Sequence, residues 1–378
     1  MTRFIIDLKL FYLIIIVNFS LLLFSRKVII SRSLIFIYSM LILTSGISIV
    51  LGTDKIYNFV AQFLGIFFIS LYFYNFYRFC AIDVRSLFKD YVYLSFYVAN
   101  VGFILFGYRI LIGRLEGFYS LMNEPSHYVT MVLPAFYYSF KNKIFPRYIY
   151  KVLLLSIILS GSSLGYLGIC VVFLISPREI KLTRLVLPII IVASLSVGLY
   201  FVYPNFKLRT DDTFNALSKN DLSGVNLSTY ALVSNLFVTY ESVSHNPILG
   251  SGIGSHELSH EKYLGDIEGI NDFGDDQNLN AKDANSLFLR VLSDMGLVGI
   301  LLIFVFIIKN YPRHIEEFHL IDLARAILLY FFCKLLREGH YFSPEMYFYV
   351  FGYYFIHRES RTLFLKEKNE NRQIDFSR

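Results

Sequence analysis

The sequence predicts an all-α, polytopic membrane protein with about eleven transmembrane helices (ten to twelve) and one large extracytoplasmic loop. Three observations carry this. Apolar residues make up 55% of the 378 while charged residues make up 17%, and the mean hydropathy is +0.53, a balance foreign to a water-soluble domain. Apolar runs approaching the roughly twenty residues that cross a bilayer recur along the chain. Lysine and arginine gather in alternate connections, as positive-inside topology requires.

Helices are the form these runs take, because they lack the alternation of barrel strands. The first run, Leu10 to Phe24, resembles a secretory signal, but Arg26 and Lys27 follow it where a small-residue cleavage site would stand, so it reads as a retained span. The next are Leu34 to Leu51, Ile56 to Phe76, Tyr91 to Ile112, Ser126 to Phe140, Tyr150 to Ser160, Ser163 to Ile175 and Leu185 to Tyr203. After the loop come Ser286 to Ile308, Leu320 to Leu336 and Pro344 to Ile356. The expected organisation is an N-terminal bundle over 1–203, a loop over 204–285, C-terminal helices over 286–356 and a basic cytoplasmic tail over 357–378.

Arg78, Arg85 and Lys89, then Lys141 to Lys151, Arg178 to Arg184, Lys309 with Arg313, and the tail mark the cytoplasmic side, putting the C-terminus inside and the N-terminus outside. This placement also accounts for the net charge of +6 without nucleic acid. With 29 tyrosines and no tryptophan, tyrosine is expected to form the interfacial belts. Cys80, Cys170 and Cys333 lie in or beside apolar runs without metal-ligand spacing, and read as small core residues.

Residues 204–285 hold twelve acidic against five basic side chains and fall outside by parity. A connection this long is more often functional than idle. Its middle, about Asn226 to Ser244, places Leu232, Leu236, Tyr240 and Val243 near helical spacing, as in a helix lying at the membrane surface. His256, His260 and Glu261 read as solvated loop residues rather than a metal site, and no cofactor or metal is expected.

Arg109 and Arg114 at the outer end of the fourth span, with Arg209, Arg290 and Arg337, run against the positive-inside trend. A planar guanidinium matches phosphate oxygens, so an anionic ligand at the outer leaflet is expected. Before the fifth span, Pro125 and Ser126 read as a helix start with Ser126 as its cap, while Glu124 and His127 are a couple competent for proton transfer. Further on, Asn285 and Ser286 can cap the ninth span, Arg290 can pair with Asp294, and Gly296 and Gly299 permit close helix packing.

Four constellations occur in order around the loop: Arg114-Leu-Glu-Gly117 with Glu124-Pro125-Ser126, Ser160-Gly-Ser-Ser163, His245-Asn-Pro-Ile-Leu-Gly-Ser-Gly-Ile-Gly254, and Asn285-Ser286 with Gly296-Leu-Val-Gly299. In them the chain resembles the O-antigen polymerase (Wzy-type) and O-antigen ligase superfamily. The resemblance implies a glycosyltransferase of the bacterial inner membrane that polymerises undecaprenyl-diphosphate-linked repeat units, with a chain-length regulator and a flippase as candidate partners. It implies Arg114 and Arg209 as diphosphate holders, with Arg109, His245, Asn285, Arg290 and Arg337 as further substrate contacts and Glu124 or His127 as base. Two positions depart from the pattern. Ala284 stands where ligases often carry histidine, and Leu164 follows Ser163 where an arginine is common. The alternatives are an O-antigen ligase and a lipid-linked glycan flippase; the latter would bury charge at midmembrane, where Arg325 is the main exception to the span-end placement seen here.

Overall fold

The computed structural model describes residues 10–25, 28–79, 83–114, 117–176, 204–219, 221–312 and 318–375, with isolated positions between 190 and 201. Among the described residues, seven helices precede the polar segment: α1 Leu10–Phe24, α2 Arg32–Val50, α3 Ile56–Phe79, α4 Val84–Leu111, α5 Pro125–Lys141, α6 Arg147–Leu159 and α7 Ser163–Ile175. The expected span Leu185 to Tyr203 lies largely outside the described residues. Three helices build the polar segment, α8 Pro204–Lys219, α9 Leu227–His245 and α10 His256–Tyr263, and 3-10 turns follow at Leu264–Asp266 and Ile270–Asn278. The chain ends in α11 Leu287–Lys309, α12 Phe318–Leu336 and α13 Pro344–Asp375.

The described residues form no β-strand, and four of their helices (α2, α3, α4 and α11) are long and apolar enough to cross a membrane. The protein is a polytopic helical membrane protein. Its lipid-facing belt shows in the side chains left bare: Leu13, Val17 and Leu21 on α1, Phe36 and Leu43 on α2, Leu94 and Ile104 on α4, Leu301 and Phe304 on α11. Water would not tolerate so continuous an apolar surface.

Helix α12 could not face lipid, since Asp322, Arg325 and Lys334 interrupt it. Protein surrounds it instead. It packs on α5 most extensively, and also on α13, α11, α7 and α4, burying Leu320, Leu323, Ala326, Ile327, Tyr330 and Cys333. Tyrosine is not confined to the interfaces. Tyr128, Tyr137, Tyr330, Tyr349 and Tyr353 are buried in the bundle, where hydroxyls reach groups such as Ser156 Oγ at 2.7 Å and the Ile307 carbonyl at 3.0 Å. Bonded in this way, Tyr128 and Tyr353 supply aromatic bulk without an orphaned hydroxyl.

The segment expected as a loop is folded. Ala216, Leu222, Tyr230, Val233, Leu264, Ile267 and Ile270 form a small core of its own, with Tyr230 stacked on Phe273 at 3.9 Å between ring centres. In α9 the face packed inward holds Tyr230, Val233, Ser234, Asn235, Val238 and Ser242, while Leu232, Leu236 and Tyr240 stay exposed. Asn226 caps α9 by accepting from the Thr229 N–H at 3.1 Å.

Gly296 does not serve smooth helix packing. It sits at φ 58°, ψ −154°, a region open essentially to glycine, and breaks α11. Turn 246–254 fills the break. Ser251 and Gly252 N–H donate to the Ser293 and Asp294 carbonyls at 3.0 and 2.8 Å, and Leu297 and Val298 N–H donate to the Pro247 and Ile248 carbonyls at 3.0 and 3.1 Å. Backbone groups freed within a membrane-buried helix must find such partners.

Candidate functional site

Helix α5 begins with Pro125, whose fixed φ suits a first turn, and Glu124 is its N-cap residue. Ser126 is not the cap: it lies inside the helix and donates to Glu124 Oε2 at 3.1 Å. Both Glu124 and His127 therefore project from one turn at the end of the bundle where the polar segment packs.

The end of α12 meets them. Arg337 Nη2 stands 3.4 Å from Glu124 Oε2, although 213 residues separate the two. Next along the chain, Glu338 takes φ 66° and presents Oε1 at 3.5 Å from His127 Nε2. Its other oxygen accepts from the buried Lys334 ammonium at 2.6 Å, and that ammonium also faces Glu345 at 3.7 Å. His127 itself is 4.0 Å from Glu124, so Glu345, Lys334, Glu338, His127, Glu124 and Arg337 form one unbroken run of charge. Burial alone would raise the Glu338 carboxyl, but Lys334, with His127 and His340, outweighs it and holds the group below its usual range.

The loop before α11 closes against this run. Asn285 accepts the Glu338 N–H at 3.2 Å through its carbonyl, and its side chain accepts from Asn280 at 2.9 Å. Asn280, Ala284, Asn285 and Glu338 all have positive φ, between 55° and 66°. Each such residue costs on the order of 1 kcal/mol, which the surrounding packing and hydrogen bonds must offset. Ser286 caps α11 by accepting the Leu289 N–H at 3.2 Å, while its hydroxyl donates to the Leu335 carbonyl at 2.8 Å.

Arg290 and Asp294 pair at 3.6 Å, both buried. The guanidinium donates to the Gly339 carbonyl at 2.8 Å and lies 4.3 Å over the Tyr341 ring, while Asp294 accepts from Gly254, His256 and Tyr341 at 2.9 Å each. Together they fasten the 246–254 turn, α10 and the 339–341 strand of chain to α11.

The remaining expected residues are scattered. Arg109 stacks 3.7 Å over Tyr119 and donates to the Ser120 carbonyl at 3.4 Å, on the loop leading to Glu124. Arg114 is exposed just past α4, and Arg209 is exposed on α8. His245, exposed at the end of α9, bonds the Glu241 carbonyl at 2.8 Å and stacks on Tyr263. Lys334, Glu338, Glu345, His340 and Asp283 were not singled out in the sequence. A lysine set in the apolar run of α12 was the one available signal.

His256 and His260 are wholly buried rather than solvated, and no group of three ligand side chains converges among the described residues. Burial pushes His256 down to about 3 and His260 to about 4. An unfolded chain would protonate both near 6.5 while the folded chain keeps them neutral, so the stability they contribute falls as pH drops below that value. Asp54, buried beneath Gly252 and pushed up to about 7 by burial, acts in the opposite sense, because its folded form holds a proton that an unfolded chain releases. From pH 6.5 to 5 each group shifts stability by about 2 kcal/mol. Asp54→Asn is therefore expected to steepen acid destabilisation of the purified chain by about 2 kcal/mol over that window, read by thermal unfolding at each pH. An unchanged slope would remove Asp54 from this balance.

Residues 150–304 match the O-antigen ligase family model, Wzy_C. Over that stretch, somewhat under half of its length, the chain is similar to a family whose members are glycosyltransferase-like enzymes acting on glycans. No curated protein sequence matches it. The matched stretch contains the 246–254 turn, Asn285, Arg290 and Asp294, while Glu124, His127, Lys334, Arg337 and Glu338 lie outside it.

Proposed function

We propose that the chain polymerises undecaprenyl-diphosphate-linked oligosaccharide repeat units on the outer face of the bacterial inner membrane, where residues 204–285 lie. One observation carries the reading: an apolar groove ends at the run of charge. The groove, of about 670 Å³, is lined by Leu34, Met40 and Leu41 of α2, Val291, Met295 and Leu302 of α11, and side chains of α13, and it reaches Lys334 and Tyr341. Its far end meets Arg32 and Lys309. An isoprenoid chain fits such a lining, and an anionic head at its end would meet Lys334 and Arg337.

The chemistry follows from the groups present. An acceptor hydroxyl attacks the anomeric carbon of the lipid-linked glycan as the bond to the diphosphate oxygen breaks. His127 takes the hydroxyl proton, with Glu338 facing the imidazolium that forms. Arg337 receives the charge that develops on the departing diphosphate, and Arg109, Arg114 and Arg209 are further cations outside the run of charge. Glu124 holds Arg337 until the diphosphate displaces it. Arg290, paired and buried, keeps the scaffold in place.

The family match favours a ligase as the second reading. Against it, Ala284 is buried at φ 55° and offers no imidazole before Asn285. The test is a gel of surface polysaccharide from a deletion strain complemented with variants. Arg337→Ala and His127→Gln are each expected to lower long-chain product about a hundredfold while single repeat units are still made. Wild-type chain length from both variants would sink the proposal, and accumulation of inward-facing lipid-linked units would point to a flippase.

A further inference from the structure

Beside the run of charge lies a second, polar cavity of about 410 Å³. Glu257 and Glu261 of α10 form one wall, Asn278 and Asn280 another, and Lys282, Asp283 and His340 close it. Such a lining of amides and carboxylates can hydrogen-bond several hydroxyls at once.

Its position matters as much as its lining. His340 pairs with Asp283 at 3.3 Å, and it stands two residues beyond Glu338, which faces His127. Two residues of chain span at most about 7 Å, so a sugar ring seated in the cavity lies within reach of the proton-accepting end of the site. Charge sets what it admits. Carboxylates outnumber lysines here: Lys282 faces Glu257 at 3.8 Å, His340 faces Asp283, and Glu261 stands on the exposed rim.

We propose that this cavity seats the terminal sugar of the acceptor glycan and selects neutral or amino-bearing sugars over uronates. The assignment of the sugar as acceptor rests on the polymerase reading above; the sugar seat itself is testable without it. Saturation-transfer NMR on the full chain in lipid nanodiscs would use three probes: diacetylchitobiose, the glucosamine disaccharide and digalacturonate.

The first two are expected to receive saturation and the third not. Glu261→Lys is expected to shift preference toward digalacturonate by about fivefold, as reversal of one rim charge allows. Asn278→Trp, at an exposed position, is expected to fill the cavity and abolish transfer to all three. Unchanged transfer in Asn278→Trp, or a wild-type preference for digalacturonate, would overturn the proposal. A His127→Gln chain that makes no long polymer yet still binds diacetylchitobiose would support the seat separately from the chemistry. Loss of the seat in these measurements would leave the polymerase reading to the polysaccharide gel.

Discussion

Lys334→Met is expected to cost about 4 kcal/mol of stability and to abolish long-chain synthesis, the cost of stripping one partner from a buried ion pair. The ammonium is 1% exposed and touches two carboxylates, Glu338 at 2.6 Å and Glu345 at 3.7 Å. Methionine fills the same volume but leaves Glu338 nearly buried with its main counter-charge gone. Burial, which already works to raise that carboxyl, would then dominate. The sign of the pH dependence reverses as a result. In the parent chain Glu338 is held below its ordinary value, so it stabilises at neutral pH and that contribution is lost on acidification. In Lys334→Met it would be raised, so the deficit is largest near neutrality and shrinks as pH falls toward the unfolded value of about 4.3. Thermal unfolding of the purified full chain across pH would read this. Adding Glu338→Gln should return more than half of the lost stability but none of the activity, since His127 would lose its nearer carboxylate at 3.5 Å and keep only Glu124 at 4.0 Å. Equal unfolding temperatures for Lys334→Met and its parent at neutral pH would show that the pair does not hold the site.

The polytopic helical character, with α2, α3, α4 and α11 long enough to cross a membrane, could be read because lipid demands long apolar runs, and the demand shows directly in composition. Helix α4 starts at Val84 rather than near Tyr91 because Arg85, Lys89 and Asp90 break the hydropathy but not the helix, which Asp83 caps by accepting the Arg85 N–H at 3.0 Å. In residues 204–285 the helix expected over Asn226 to Ser244 forms as α9, but the core around it was not legible, since it draws on Ala216, Tyr230 and Ile267, spaced too far apart for any local period to reveal. Glu124, His127 and Arg337 could be chosen singly as ionisable groups at span ends. What joins them could not: Glu338 lies between them only because α12 packs on α5, a fact of tertiary structure. His256 and His260 misled for the converse reason, being polar residues in a polar stretch that the fold encloses completely.

Gly296→Val is expected to be as damaging as the loss of Lys334, through backbone rather than charge. A side chain at φ 58°, ψ −154° costs about 1–3 kcal/mol in strain before any contact is made. The added Cβ would then stand 2.6 Å from the Ile248 carbonyl oxygen and 2.7 Å from the Gly250 nitrogen, both main-chain atoms that cannot rotate aside. To relieve that contact the 246–254 turn must leave the break in α11, giving up four interchain-segment hydrogen bonds and the Gly254 and His256 N–H bonds to Asp294. Asp294 would be left buried with only Arg290 and the Tyr341 hydroxyl as partners, and α10 would lose its anchor. A total near 4 kcal/mol follows, with loss of polymerisation because Asn285 and Gly339 are tied to the same helix. Gly107→Ala on α4, where an added Cβ meets nothing within 4 Å, is the control. Alanine there should change stability by less than about 1 kcal/mol, in the favourable direction that helix propensity gives. If thermal unfolding ranked the two substitutions alike, the glycine-rich turn would not be the clamp that joins the polar segment to the membrane bundle.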